Sequence, residues 1–256
     1  DADTETYFSI DLNEPDTDEE SIELWESFNE FDNTHFTFNL NFLRADFFGR
    51  YAFDFVERFI QDLDLYVLNP QSSSDPDNPM KPDLGDLYNN WSAINARHSA
   101  DYFHEYELEY YPLDKSNDFY DFNLNRWHLQ QDLGEGYYVP KLYLFKQKAE
   151  GKLITLATWT EHIPCVLPPA DYFLLTKKYK KFFRTIEESG LVSAQTLIQR
   201  LSHLFEEYHF KNCKIIHHAN AEKAKDIFNS TNIEHTLANF AERISMDKLV
   251  NAMPDV

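Results

Sequence analysis

Apolar and polar residues alternate with period two from His35 to Leu43, with Phe36, Phe38, Leu40 and Phe42 on one face and Thr37, Asn39 and Asn41 on the other. A half-buried β-strand has this pattern. Tyr7 to Leu12 alternates less cleanly and reads as a second strand. Between them, after the turn residues Asn13, Pro15 and Asp16, the run Asp18 to Phe28 keeps a helical period. Asp16 or Asp18 caps it, acidic residues crowd its first turn, and Ile22, Trp25 and Phe28 form the stripe expected to be buried.

Asp46 caps a helix predicted from Phe47 to Leu63, with Phe48, Ala52, Phe55, Val56, Phe59, Ile60 and Leu63 on its apolar face. Leu65–Leu68 follows as a short apolar strand closed by Asn69-Pro70. Residues 1–70 therefore read as an acidic β-α-β-α-β unit. A right-handed crossover and a split-βαβ (ferredoxin-like) sandwich, with helices on one face of the sheet, are expected.

Gln71 to Pro82 holds three Ser and three Pro and reads as a linker. Leu84 to Tyr111 is spaced for one long helix through Leu87, Trp91, Ile94, His98, Tyr102 and Tyr106. Asp114 to Glu135 mixes apolar and polar residues without a readable period. Residues 71–135 are thus a linker and a mainly helical segment.

Residues 136–256 read as a second α+β region. Tyr137–Lys148 and Lys152–His162 form a hairpin across Ala149-Glu150-Gly151, and Tyr172–Thr176 is a further strand. The basic run Lys177 to Lys181 with Arg184 is predicted on or entering a helix. Ser193 caps a helix to about Tyr208, Cys213–Ile216 is a strand, Asn220 caps a helix to Phe228, and Thr236–Met253 is mainly helical with a restart at Ser245. The fold class expected is α+β, a sandwich of sheet and helices.

Composition sharpens this picture. Hydrophobic residues make up 43% and aromatics 16% of the 256 residues, including 22 Phe and 15 Tyr, so the chain has the material for a folded core. Six glycines, with no G-x-G-x-x-G or G-x-x-x-x-G-K-[ST], leave dinucleotide and P-loop readings without support. Two cysteines make no disulfide framework and are expected to be reduced and buried. Asp1 to Asp11 has no basic or apolar signal region, and no apolar run approaches the roughly 20 residues of a membrane span. A cytoplasmic protein without a membrane partner is expected.

Charge is the informative quantity. Residues 1–33 hold 13 Asp and Glu and no Lys or Arg. Residues 34–135 hold 18 acidic and 7 basic residues, and residues 136–256 hold 13 and 16. The net charge of −21 thus belongs to the first 135 residues. Such a field repels nucleic acid, whose direct binding depends on Lys and Arg, and speeds encounter with a basic protein. Asp16, Asp18, Glu19, Glu20, Glu23 and Glu26, the densest acidic stretch, are the candidate partner-binding residues.

The chemistry-bearing residues form no specific motif. His98 and His104 are six apart on the predicted helix and point in different directions, so with Asp101 they supply at most two ligands to one ion. His162 and Cys165 bracket Ile163-Pro164, and His217-His218 ends a strand before a helix. These four are the alternative site, a His/carboxylate centre of a hydrolase or transferase between the halves, with Cys213 near the second pair. No metal set and no cofactor is expected. The basic run, with Tyr179, Phe182 and Phe183, offers phosphate contacts and stacking groups, or the plainer solvated face of an amphipathic element. The reading that uses the charge division is a non-catalytic interaction protein that binds a basic protein, as a bacterial immunity protein or antitoxin does.

Overall fold

The computed structural model describes residues 1–15, 17–72, 75–83, 85–161, 163–181 and 184–254. They form an α+β fold in two compact units, one of Thr6–Leu108 with Val250–Val256, the other of Asp1–Glu5 with Glu109–Leu249. By sequence the first unit carries 23 Asp and Glu against 5 Lys and Arg, and the second 21 against 18. Net charges of −18 and −3 follow, and the first is called the acidic unit and the second the sheet unit.

The acidic unit contains β1 (Ser9–Leu12), α1 (Glu19–Ser27), β2 (Phe36–Asn39), α2 (Asp46–Asp62) and α3 (Asp86–Asp101). Asp18 caps α1 as expected, accepting from the Ser21 N–H at 3.0 Å. No residue of α1 is buried, however: of the predicted stripe Ile22 is exposed, and Trp25 and Phe28 are half-buried. β1 and β2 pair antiparallel, with Ser9 opposite Asn39 and Leu12 opposite Phe36, so α1 is an excursion between neighbouring strands. The third strand expected at Leu65–Leu68 contracts to a single bridge between Val67 and Met80.

α2 and α3 pack through a close approach. A Cβ on Gly49 would lie 2.3 Å from the Trp91 ring, so the indole rests directly on the α2 backbone, where only glycine leaves room. Phe47, Phe48, Ala52, Phe53 and Val56 are buried, while Phe55 and Leu63 of the predicted stripe remain exposed. The N-cap of α2 is Ala45, and the Asp46 carboxylate instead accepts from the Tyr88 and Ser92 hydroxyls of α3. Burial and this bond push Tyr88 up to about 12. The predicted helix 84–111 stops at Asp101, and Leu84 lies outside the described residues.

The sheet unit begins with β3 (Glu109–Tyr110) and α4 (Leu113–Leu133). α4 occupies the stretch that showed no period. Its buried set Ser116, Phe119, Tyr120, Phe122, Asn123 and Leu129 mixes polar with apolar residues, which hides the stripe. The Asn123 amide compensates its burial by donating to the Leu142 carbonyl and accepting from the Leu142 N–H, at 3.0 and 2.9 Å.

β4 (Leu142–Gln147), β5 (Leu153–Thr158), β7 (Tyr172–Lys181), β8 (Arg184–Ser193) and β11 (Ala241–Arg243) form a five-stranded sheet in the order β11-β4-β5-β7-β8. β5 and β7 run parallel and the other pairs antiparallel. β5 is buried along five of its six residues, as a central strand covered on both faces must be. β6 (Cys165–Leu167), β9 (Glu206–Glu207) and β10 (Lys214–Ile216) make a second sheet with β10 in the middle. The remaining elements are α5 (Ala194–Leu201), α6 (His218–Ser230), α7 (Leu237–Phe240), a 3₁₀ turn at Met246–Lys248 and the two-residue strand β12 (Leu249–Val250).

Two corrections stand out here. The basic run belongs to the β7–β8 hairpin rather than to a helix, because its burial follows a period of two through Phe173, Leu175 and Lys177. Lys177 takes an inward position and donates to the Asn229 and Thr231 carbonyls at the end of α6, where partial negative charge gathers. Phe182 and Phe183 lie outside the described residues. The segment 236–253 is short turns and a strand, since Ala241–Arg243 extends to complete the sheet edge beside β4.

Candidate functional site

A wide concavity lies within the acidic unit. It is a groove of about 880 Å³ lined by residues 34–40 around β2, residues 64–71, Trp25, Phe28 and the turn after α1, and facing residues of α2 and α3. Local chemistry explains its walls. β2 directs alternate rings inward, so Phe36 meets Phe59 at 5.7 Å and Phe38 meets Phe53 at 5.4 Å between ring centres. Phe31, after α1, lies 4.8 Å from Tyr66. The Trp91 indole closes one side, 6.1 Å from Phe53.

The groove's charge is one-sided. Glu14, Glu30, Asp32 and Asp64 line it, and no Lys or Arg does. Lys81, outside the lining, pairs with Asp64 and lies 5.1 Å from the Tyr66 ring centre. A carboxylate and an aromatic face there meet one ammonium. Glu14, Glu30 and Asp32 form no ion pair among the described residues. Trp91 is 5% exposed, and its Nε1–H has no hydrogen-bond partner among the described residues.

Of the candidate partner-binding residues, Asp16 lies outside the described residues. Asp18 precedes α1, and Glu19, Glu20, Glu23 and Glu26 sit on it, all exposed to solvent and none lining the groove. The lining carboxylates come instead from the flanks of α1 and from Asp64. Sequence reading missed them because they are dispersed, and density was the only signal followed. The clustered aromatics were visible in the sequence, yet nothing local distinguishes a groove wall from a core.

The alternative site takes a different form. His162 lies outside the described residues. Cys165 is fully buried on β6, opposite Ile216 and so one residue from His217. Burial pushes its thiol up to about 12, and Cys213 likewise, which keeps both protonated and un-nucleophilic near neutrality. His217 stands at the N-cap position of α6 without a side-chain cap bond, and His218 opens the helix. His217 Nδ1 lies 2.8 Å from the Tyr137 hydroxyl, and the His218 ring packs edge-on against the Tyr137 ring. No group of three His, Cys, Asp or Glu able to hold a metal occurs among the described residues. No helix among them is long and apolar enough to cross a membrane.

No protein-family model matches the chain, and no curated protein or solved structure is significantly similar to it.

Proposed function

We propose that this chain is a non-catalytic interaction protein of the cytoplasm, whose acidic unit binds a basic protein in the manner of an immunity protein or antitoxin. The observation that carries the reading is the groove: aromatic walls, four lining carboxylates and no lining cation. Aromatic area supplies affinity once desolvated, and the carboxylates select a partner rich in Lys and Arg while repelling nucleic acid and anionic lipid. The unit's net charge of −18 lengthens the reach of that selection.

The test compares two charge-reversal variants used as bait in extracts of the source cell. One replaces Glu14, Glu30 and Asp32 by Lys, the other Glu19, Glu20 and Glu23. A stoichiometric basic partner is expected to be lost with the groove variant and released by salt, and to stay with the α1 variant at no less than about a third of its affinity. Absence of any such partner, or equal loss in both variants, overturns the reading.

A further inference from the structure

The groove is bounded by two stretches of chain whose backbone is bonded on one side only. In β2, the Asn13 N–H donates to the His35 carbonyl at 2.9 Å, and the register sets Thr37 opposite Asp11 and Asn39 opposite Ser9. Bonded residues alternate along an antiparallel ladder. His35, Thr37 and Asn39 therefore turn their main-chain groups toward β1, and Phe36 and Phe38 turn theirs to the opposite edge. On that edge neither has a backbone partner among the described residues. Across the groove, Val67 exchanges both its main-chain bonds with Met80, at 2.8 and 3.0 Å, while Tyr66 and Leu68 have no backbone bond among the described residues.

We infer that the groove takes its ligand as an extended, Lys- or Arg-bearing segment of a partner protein, added as a strand to the free edge of β2. The inference rests on the function proposed above and specifies how the partner is held. An exposed strand edge is a template for another chain, and main-chain bonds supply affinity while alternate side chains supply specificity. Period two in the added strand sends one set of side chains to the apolar wall of Phe53, Val56 and Phe59 and the other to the acidic rim. A helical ligand bonds its own backbone and leaves Phe36 and Phe38 unbonded. A second copy of this chain sets carboxylate against carboxylate along the same edge, which repels it.

The experiment uses the full chain and a capped alternating octapeptide, (Lys-Val)₄. Its comparators are the same peptide N-methylated at alternate residues, a helix-forming Lys/Leu peptide of equal charge, and (Glu-Val)₄. The Lys-Val peptide is expected to bind and to slow amide exchange at Phe36 and Phe38 roughly tenfold or more. N-methylation is expected to weaken binding by about tenfold, as loss of main-chain donors requires. Phe36→Pro removes the ring and, in addition, an outward N–H whose loss an edge position tolerates, and is expected to weaken binding roughly tenfold, against about threefold for Phe36→Ala, which removes the ring alone. If the helical peptide binds as tightly as (Lys-Val)₄, or the Phe36 and Phe38 amides stay unprotected, strand addition is wrong while the basic-partner reading stands. If N-methylation has no effect on the wild-type chain, strand addition is wrong whatever Phe36→Pro does to folding. If no basic peptide binds, the inference fails, and the extract experiment decides the broader reading separately.

Discussion

The two units use the same aromatic residues for opposite ends. In the sheet unit Phe173 is fully buried on β7, between Ala157 of β5 and Val192 of β8. In the acidic unit Phe31 and Phe36 keep 37% and 47% of their surface in contact with water, on a groove whose rim repels its own kind. Aromatic content alone therefore does not distinguish a core from a binding wall. What separates them is whether the backbone beside the rings is bonded on both sides, as in β5, or on one, as in β2.

The sharpest way to break this contrast is one substitution made in both places. Phe173→Ala is expected to cost about 3–5 kcal/mol, because it leaves a cavity in a packed sheet core. Phe31→Ala is expected to stay within about 1 kcal/mol of wild type, since much of its ring is already wet. Denaturant midpoints measure both, and equal costs would make the groove a piece of ordinary core.

A smaller effect comes from pH, and the two buried thiols of the sheet unit carry it at the lowest pH. Cys165 and Cys213 are pushed up to about 12 by burial from an ordinary 9.0. The unfolded chain releases these protons first, so their share of stability is complete below pH 9 and falls as pH climbs toward 12. The slope is about 1.4 kcal/mol per pH unit for each thiol. Unfolding of Cys165→Ala between pH 8 and 10.5 is expected to show a shallower decline than wild type, and an unchanged slope would contradict it.

The smallest effect is that of salt. Screening relieves the self-repulsion of a unit at −18 far more than that of one at −3. Amide exchange in α2 is expected to slow between about 0.05 and 0.5 M NaCl, by less than about 1 kcal/mol, with β5 nearly unchanged. The reverse order would mean that the acidic unit's charges are already compensated.

Legibility in the sequence followed the same division. Strong, uninterrupted periods are legible: the alternation that becomes β2, the helix α2 though not its whole buried stripe, the Asp18 and Ser193 caps, and the β4–β5 hairpin. Where a buried position holds a polar residue the period dissolves, as at Ser116 and Asn123 in α4, and as at Lys177, whose charge disguised an inward strand position as part of a helix face. The groove was illegible for another reason. Its walls come from segments some fifty residues apart, so no window contains both Phe36 and Trp91, and its rim carboxylates lie outside the densest acidic run.

The sheet unit also has an unusual timetable. Glu5 pairs with Lys141 and Arg243, and Asp3 pairs with Arg126. During synthesis Glu5 leaves the ribosome 238 residues before its last partner exists. At about 5–20 residues per second that interval is on the order of ten seconds or more. The acidic unit's long segment ends at Leu108, 135 residues before Arg243, so only for the later part of that time is nearly the whole acidic unit, groove included, outside the ribosome while the sheet beside Arg243 is incomplete. Under the binding proposed above, a partner made in the same cell meets the full groove lining, which ends at Trp91, on a chain still being made.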